Sequence, residues 1–96
     1  MKFVWDEDKA KTNKIKHNVS FEEAIEIFRD PNMLDNFDKQ HSTLDEIRYN
    51  AIALSSKRLL FVVFTITLEQ QEETIRIISA RKAEKQEKEL YEKENR

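Results

Sequence analysis

The stretch Leu59–Thr67, LLFVVFTIT, decides the fold. It is apolar at odd and even positions alike, which is the signature of a strand covered on both faces, here by helices on one side and by another element on the other. On its N-terminal side Ser55-Ser56-Lys57-Arg58 reads as a turn. Before that turn Ile47, Tyr49, Ala51 and Ala53 alternate with Glu46, Arg48, Asn50 and Ile52, so a second strand begins with one apolar and one polar face. On its C-terminal side Glu69-Gln70-Gln71-Glu72 is a hairpin loop leading into Thr74–Ala80, TIRIISA. So short a connection cannot cross over, and these strands run antiparallel.

Further out, Lys2–Trp5 is β-prone, and Asp6 offers an N-cap oxygen to a helix over 7–17 whose only apolar residues are Ala10 and Ile15. A second helix starts at Ser20, which forms an S-x-x-E capping box with Glu23, with Val19 and Ala24 as its hydrophobic staple. Phe21, Ala24, Ile25 and Phe28 give it a core-facing stripe, and Asp30-Pro31 ends it. Residues 32–45 mix turn formers with acids and hold a short edge strand around 33–37. The tail, 82–95, reads as a helix with Glu84/Lys88 and Glu89/Lys93 pairs, docked weakly at one end through Ala83, Leu90 and Tyr91 and frayed at the other. The expected fold is therefore α+β. One domain over 1–96 carries an antiparallel sheet, two N-terminal helices packed on it, and a charged C-terminal helix within 82–96.

Composition narrows the chemistry. The absence of cysteine excludes a disulfide framework, a thiolate zinc site and a cysteine nucleophile, and the absence of glycine argues against a phosphate-cradling Gly-rich loop. No cofactor is expected. Asp35, Asp38 and Asp45 fit no EF-hand spacing, so no metal site is expected either. No apolar run approaches the roughly 18 residues a membrane helix needs, and the N-terminus lacks a signal-peptide core, which points to a cytoplasmic protein. Charge is high but balanced, 17 Lys+Arg against 19 Asp+Glu. Its distribution says more, because Lys9, Lys11, Lys14, Lys16 and His17 fall within nine residues. A local basic surface of this kind can hold phosphates.

Three groups of residues are candidates for function. Lys9, Asn13, Lys16 and His17 project from one side of the first helix, an amide, an imidazole and two ammoniums. Glu46, Arg48 and Asn50 share one sheet face, where a carboxylate base and a guanidinium on phosphate would suit metal-free phosphodiester cleavage. Arg76 and Arg81 complete the set, and simple alternation puts them on opposite faces. His41 reads as an ordinary loop histidine, and Trp5 as a core aromatic.

Taken in order, Phe3, Trp5-Asp6, Lys9, Asn13, Lys16-His17, Val19-Ser20-Phe21-Glu22, Ala24, Phe28, Asp30-Pro31, Glu46, Arg48 and Ile75–Arg81 resemble the BrnT family of ribonuclease toxins from bacterial type II toxin–antitoxin systems. The resemblance runs from about residue 3 to Tyr91. It implies a RelE-like fold, metal-independent cleavage of mRNA with translation arrest, and neutralisation by a BrnA-type ribbon-helix-helix antitoxin in a 2:2 heterotetramer that reaches operator DNA through the antitoxin. In such an endoribonuclease His17, Glu46, Arg48 and Arg81 would be catalytic, with His17 or Glu46 as general acid or base, and Lys9, Asn13, Lys16 and Arg76 would bind RNA. Two positions depart from the family pattern. Asn18 replaces a glycine after the Lys-His pair, a residue that tolerates the left-handed conformation. An arginine expected in a V-V-x-T-x-R segment is missing near Ile66/Thr67. That absence supports an alternative, a catalytically weak or inactive homologue acting mainly as an antitoxin-binding co-repressor.

Overall fold

The computed structural model describes residues 1–96. In chain order the elements are β1 (Lys2–Val4), α1 (Glu7–His17), α2 (Phe21–Ala24) continued by a 3₁₀ segment (Ile25–Arg29), β2 (Leu34–Phe37), β3 (Ile47–Leu54), β4 (Leu59–Glu69), β5 (Glu72–Lys82) and α3 (Lys85–Glu94). The five strands form one sheet in the order β1-β5-β4-β3-β2. As expected, Leu59–Thr67 lies in its middle.

The expectation of a wholly antiparallel sheet is corrected at one edge. β1 runs parallel to β5, with Lys2, Phe3 and Val4 opposite Thr74, Ile75 and Arg76. Only a short connection forces antiparallel pairing, and β1 reaches β5 with the rest of the chain between them. The second helix is also shorter than its stripe suggests, a single α-turn that tightens into 3₁₀ geometry before Asp30.

One face of the sheet carries the core. Val19, Phe21, Ala24 and Ile27 pack onto Ala51 and Ala53 of β3, Leu60, Val62 and Phe64 of β4, and Ile75, Ile77 and Ala80 of β5. Trp5 packs against this cluster and meets Phe21 edge-on. By contrast α1 buries no apolar residue; its one buried side chain is Asn13, at 6% exposure. Asp6 caps its start by accepting from the Asp8 and Lys9 N–H groups. Asn18 ends it at φ 56°, ψ 35°, its N–H donating to Lys14 O, so asparagine supplies the left-handed corner here.

What holds this polar helix is the amide of Asn13. Its Nδ2 donates to Val19 O at 2.9 Å and to Ala80 O at 2.8 Å, while Oδ1 accepts the Ala80 N–H at 3.1 Å. Beyond Arg76, β5 has no strand on its outer side. The carboxamide presents one donor and one acceptor to Ala80 and so replaces a neighbouring strand at that point.

Glu23 departs from its expected role. Ser20 Oγ accepts the Glu23 N–H, which is half of a capping box, but the Glu23 carboxylate turns to Arg58 (Nε 3.0 Å, Nη2 2.8 Å) and Ser55 Oγ (2.8 Å). Arg58 Nη2 also donates to Asn18 O at 2.8 Å, so one ion pair ties α2, the α1–α2 corner and the β3–β4 turn together. The Arg58 hydrogen bonds hold the Glu23 carboxyl below its usual range.

Two irregularities shape β4 and β5. Their hairpin turns on Gln70 (φ 51°) and Gln71 (φ 67°), a two-residue loop with both residues left-handed, where asparagine and glycine are the usual occupants. Then Val63 faces Ser79 while Phe64 faces Ile77, which leaves Ile78 as the extra residue of a β-bulge.

The tail is strand to Lys82 and helix only from Lys85, and that helix runs to Glu94. Arg81 and Glu87 pair at its start, and Tyr91 near its end is buried, its hydroxyl donating to Asp30 Oδ2 at 2.7 Å. Burial and the Asp30 contact push the Tyr91 phenol up to about 12. Burial works against charge on Asp30, yet hydrogen bonds from Leu54 N–H, Tyr91 and Asn32 N–H outweigh it and keep the carboxyl low.

Replacing Asn13 by alanine should destabilise the protein by about 3 kcal/mol in urea unfolding, because Val19 O and both Ala80 backbone groups lose partners in a buried setting. Asn13→Asp should cost about as much, since a carboxylate would face two carbonyl oxygens.

Candidate phosphate-binding site

The site residues nominated from the sequence fall into two sectors that adjoin at Ser79. The first is a cleft of about 320 Å³ between α1 and the outer edge of β5, lined by Lys9, Asn13, Lys16 and His17 with Asp8, Thr12, Ile78 and Ser79. The helical spacing places these side chains together, as read from the sequence. Lys9 and Lys16 are exposed and have no ion-pair partner, and His17 is half-buried. Asn13 differs from its neighbours, because its amide is fully engaged by Val19 and Ala80 and shapes the cleft wall.

The second sector is the face of the sheet opposite the core. Register places Arg48 of β3, Thr65 of β4 and Arg76 of β5 side by side. Adjacent strands lie about 4.8 Å apart, so the two arginine backbones stand roughly 10 Å apart with the threonine between them. Asp38, just past β2, extends the row, its N–H donating to Arg48 O at 2.8 Å. Glu46 precedes Arg48 by two residues and is exposed, without a side-chain partner; Ser79 and Val63 form the next row toward the α1 cleft.

Arg76 and Arg81 were expected on opposite faces. The bulge at Ile78 shifts the alternation by one, so Arg81 lies opposite Phe61 and shares the open face with Arg76. Their surroundings differ. Arg76 is exposed and unpaired, whereas Arg81 forms a two-pronged pair with Glu87, 2.8 Å on each arm, and lies 4.3 Å above the Phe61 ring. Glu84 adds a longer contact at 3.7 Å.

Within the row two buried polar atoms have no protein partner, Arg48 Nε and Thr65 Oγ1. Thr65 is only 2% exposed. Buried polar groups are nearly always satisfied, and an unsatisfied pair at one place, beside a second free guanidinium, is an arrangement ready for an anion. Thr65 was not singled out from the sequence, because its environment depends on the register of two neighbouring strands.

The β2–β3 loop closes over one end of the row. Ser42 Oγ donates to Asp38 O at 2.6 Å and accepts the Arg48 N–H at 2.8 Å, while Thr43 and Glu46 exchange two hydrogen bonds at the other end of the loop. Within it His41, read from the sequence as an ordinary loop residue, has Nδ1 2.8 Å from Asp38 Oδ2, and its backbone N–H donates to Asp38 Oδ1 at 3.3 Å. Partial desolvation opposes charge on Asp38, but the two His41 hydrogen bonds and the positive charges of His41 and Arg48 lower its pKa. No three His, Asp or Glu side chains converge on a point that could hold a metal ion.

This surface offers cations, an unpaired guanidinium N–H, a buried hydroxyl, an exposed carboxylate and an oriented imidazole, the functional groups of phosphodiester chemistry. A family model described as the ribonuclease toxin BrnT of type II toxin–antitoxin systems matches residues 5–87, a span that contains every residue of both sectors. Comparison with curated proteins gave no match. With that span covering most of its length, the chain belongs to the BrnT family of ribonuclease toxins of type II toxin–antitoxin systems.

Proposed function

We propose that this chain is a RelE-like endoribonuclease that cleaves mRNA in the cytoplasm without a metal ion and thereby arrests translation. The observation that carries the reading is the row of Arg48, Thr65 and Arg76 on the sheet face opposite the core, with its two buried polar atoms that have no protein partner. In this reading Lys9, Lys16 and His17 hold the RNA backbone in the α1 cleft, and Asn13 positions the helix that carries them. Arg48 and Arg76 take the scissile phosphate and stabilise the charge that grows on its oxygens. Thr65 adds a hydroxyl hydrogen bond. Glu46, on the same face and free of partners, is the base that removes the 2′-hydroxyl proton. Arg81 contributes to catalysis only when Glu87 releases it.

The partner in this reading is a BrnA-type ribbon-helix-helix antitoxin, bound two copies to two and linking the complex to operator DNA. A second reading, a weak nuclease serving chiefly as antitoxin-bound co-repressor, draws support from two observations. Arg81 is already engaged by Glu87, and the sequence has threonine at position 67, where the V-V-x-T-x-R segment would carry its arginine. Ile66 lies between Ile47 and Ile75 on the core side, so Thr67 is the position that looks onto the open face.

Antitoxin-free protein in excess chelator should cut RNA, free or ribosome-bound, to products with 2′,3′-cyclic phosphate ends, and Arg48→Ala should slow this about 10²-fold. Cleavage that requires added metal, or none on either substrate, would overturn the proposal. Thr67→Arg should raise the cleavage rate about tenfold or more by adding a cation beside the row. An unchanged rate in that variant would favour the co-repressor reading.

A further inference from the structure

The reaction proposed above has a base and a phosphate site but no group to protonate the departing 5′-oxygen. We infer that His41, held by Asp38, is the general acid of this site; the inference rests on the ribonuclease reading and deepens it.

The geometry supplies each requirement. Asp38 sits opposite Arg48, at the end of the row formed by Arg48, Thr65 and Arg76. Its carboxylate lies 2.8 Å from His41 Nδ1 and accepts the His41 backbone N–H at 3.3 Å, so ring and backbone are both fixed. The opposite ring nitrogen, Nε2, has no protein partner, and the side chain is 59% exposed, so it is free to meet a substrate. The same loop carries Glu46 at its other end, and Ser42 pins it to the Arg48 backbone between them. His41, within the loop, and Glu46, at its end, thus both belong to the segment that Ser42 ties to the Arg48 backbone. Asp38 is a positioning residue: it holds Nδ1 and leaves Nε2–H as the proton to be given.

The step balances without a co-reactant. Glu46 takes the 2′-hydroxyl proton as the 2′-oxygen forms a bond to phosphorus. The bond from phosphorus to the 5′-oxygen breaks, and its electron pair leaves with that oxygen. The imidazolium Nε2–H of His41 protonates the leaving oxygen, giving a 2′,3′-cyclic phosphate and a 5′-hydroxyl. Solvent then returns Glu46 and His41 to their starting protonation states.

Two substrates separate an acid from a structural residue. An ordinary dinucleoside phosphate needs its leaving alkoxide protonated; a nucleoside 3′-(p-nitrophenyl phosphate) does not, because nitrophenolate is a stable anion. The expected result is that His41→Ala lowers cleavage of the dinucleotide about 10²-fold or more, yet leaves the nitrophenyl ester within a few-fold of the unaltered protein. Asp38→Asn should show the same asymmetry in kcat, with KM little changed. Full-rate dinucleotide cleavage by His41→Ala would overturn the inference while leaving the ribonuclease reading intact. An equal loss on both substrates would likewise reduce His41 to a structural part of the loop. If the unaltered protein cleaves neither of these substrates nor RNA, free or ribosome-bound, the ribonuclease reading fails and this assignment falls with it.

Discussion

One carboxamide decides whether this fold has a functional cleft. α1 is a helix of charge and amide with almost no apolar surface, so hydrophobic burial does not fix it to the sheet. Asn13 does so instead, giving β5 the donor and acceptor that a further strand would have given at Ala80 and holding the turn at Val19 with its second N–H. The arrangement also closes an exposed sheet edge beyond the end of β1. With α1 pinned at its middle, the lysines on either side of Asn13 overhang β5 and the cleft exists. A side chain nominated from the sequence as a ligand for RNA is better understood as the reason the other ligands stand where they do.

The second constraint is the extra residue in β5. Without the bulge at Ile78, Arg81 would point into the core side, against the apolar cluster; with it, Arg76 and Arg81 share the open face. The two arginines then divide by environment. Arg81 is drawn to Glu87 and Phe61 and fastens α3 to the sheet, while Arg76 remains exposed beside Thr65. The protein carries a net charge of −2, so its cation sites depend on such local separation and not on bulk charge.

Much of the architecture was legible because its signals are local. Asp6 and Asn18 bracket α1 at the residues where the structure begins and ends it, and the two hairpin turns lie where polar residues interrupt the apolar runs. Features that failed to show depend on residues far apart in the chain. Glu23 looks like half of a capping box until Arg58, 35 positions away, takes its carboxylate. Asn13 looks like a surface amide until Ala80, 67 positions away, arrives beside it. A bulge leaves no mark on an apolar run such as Ile75–Ala80, so alternation misplaced Arg81 relative to Arg76. His41 is the exception, since Asp38 three residues earlier was a local sign that the ring would be held.

Catalysis on this face requires an RNA phosphate on the row between Arg48 and Arg76. The direct measurement is an NMR titration that follows the arginine Nε–H signals while an RNA oligonucleotide made uncleavable by 2′-deoxy substitution is added. The Arg48 Nε–H signal, which has no partner in the free protein, should shift saturably on binding, together with the Thr65 amide. If the oligonucleotide binds while Arg48 and Thr65 stay unmoved, the phosphate lies elsewhere and the site described here is not the site of cleavage.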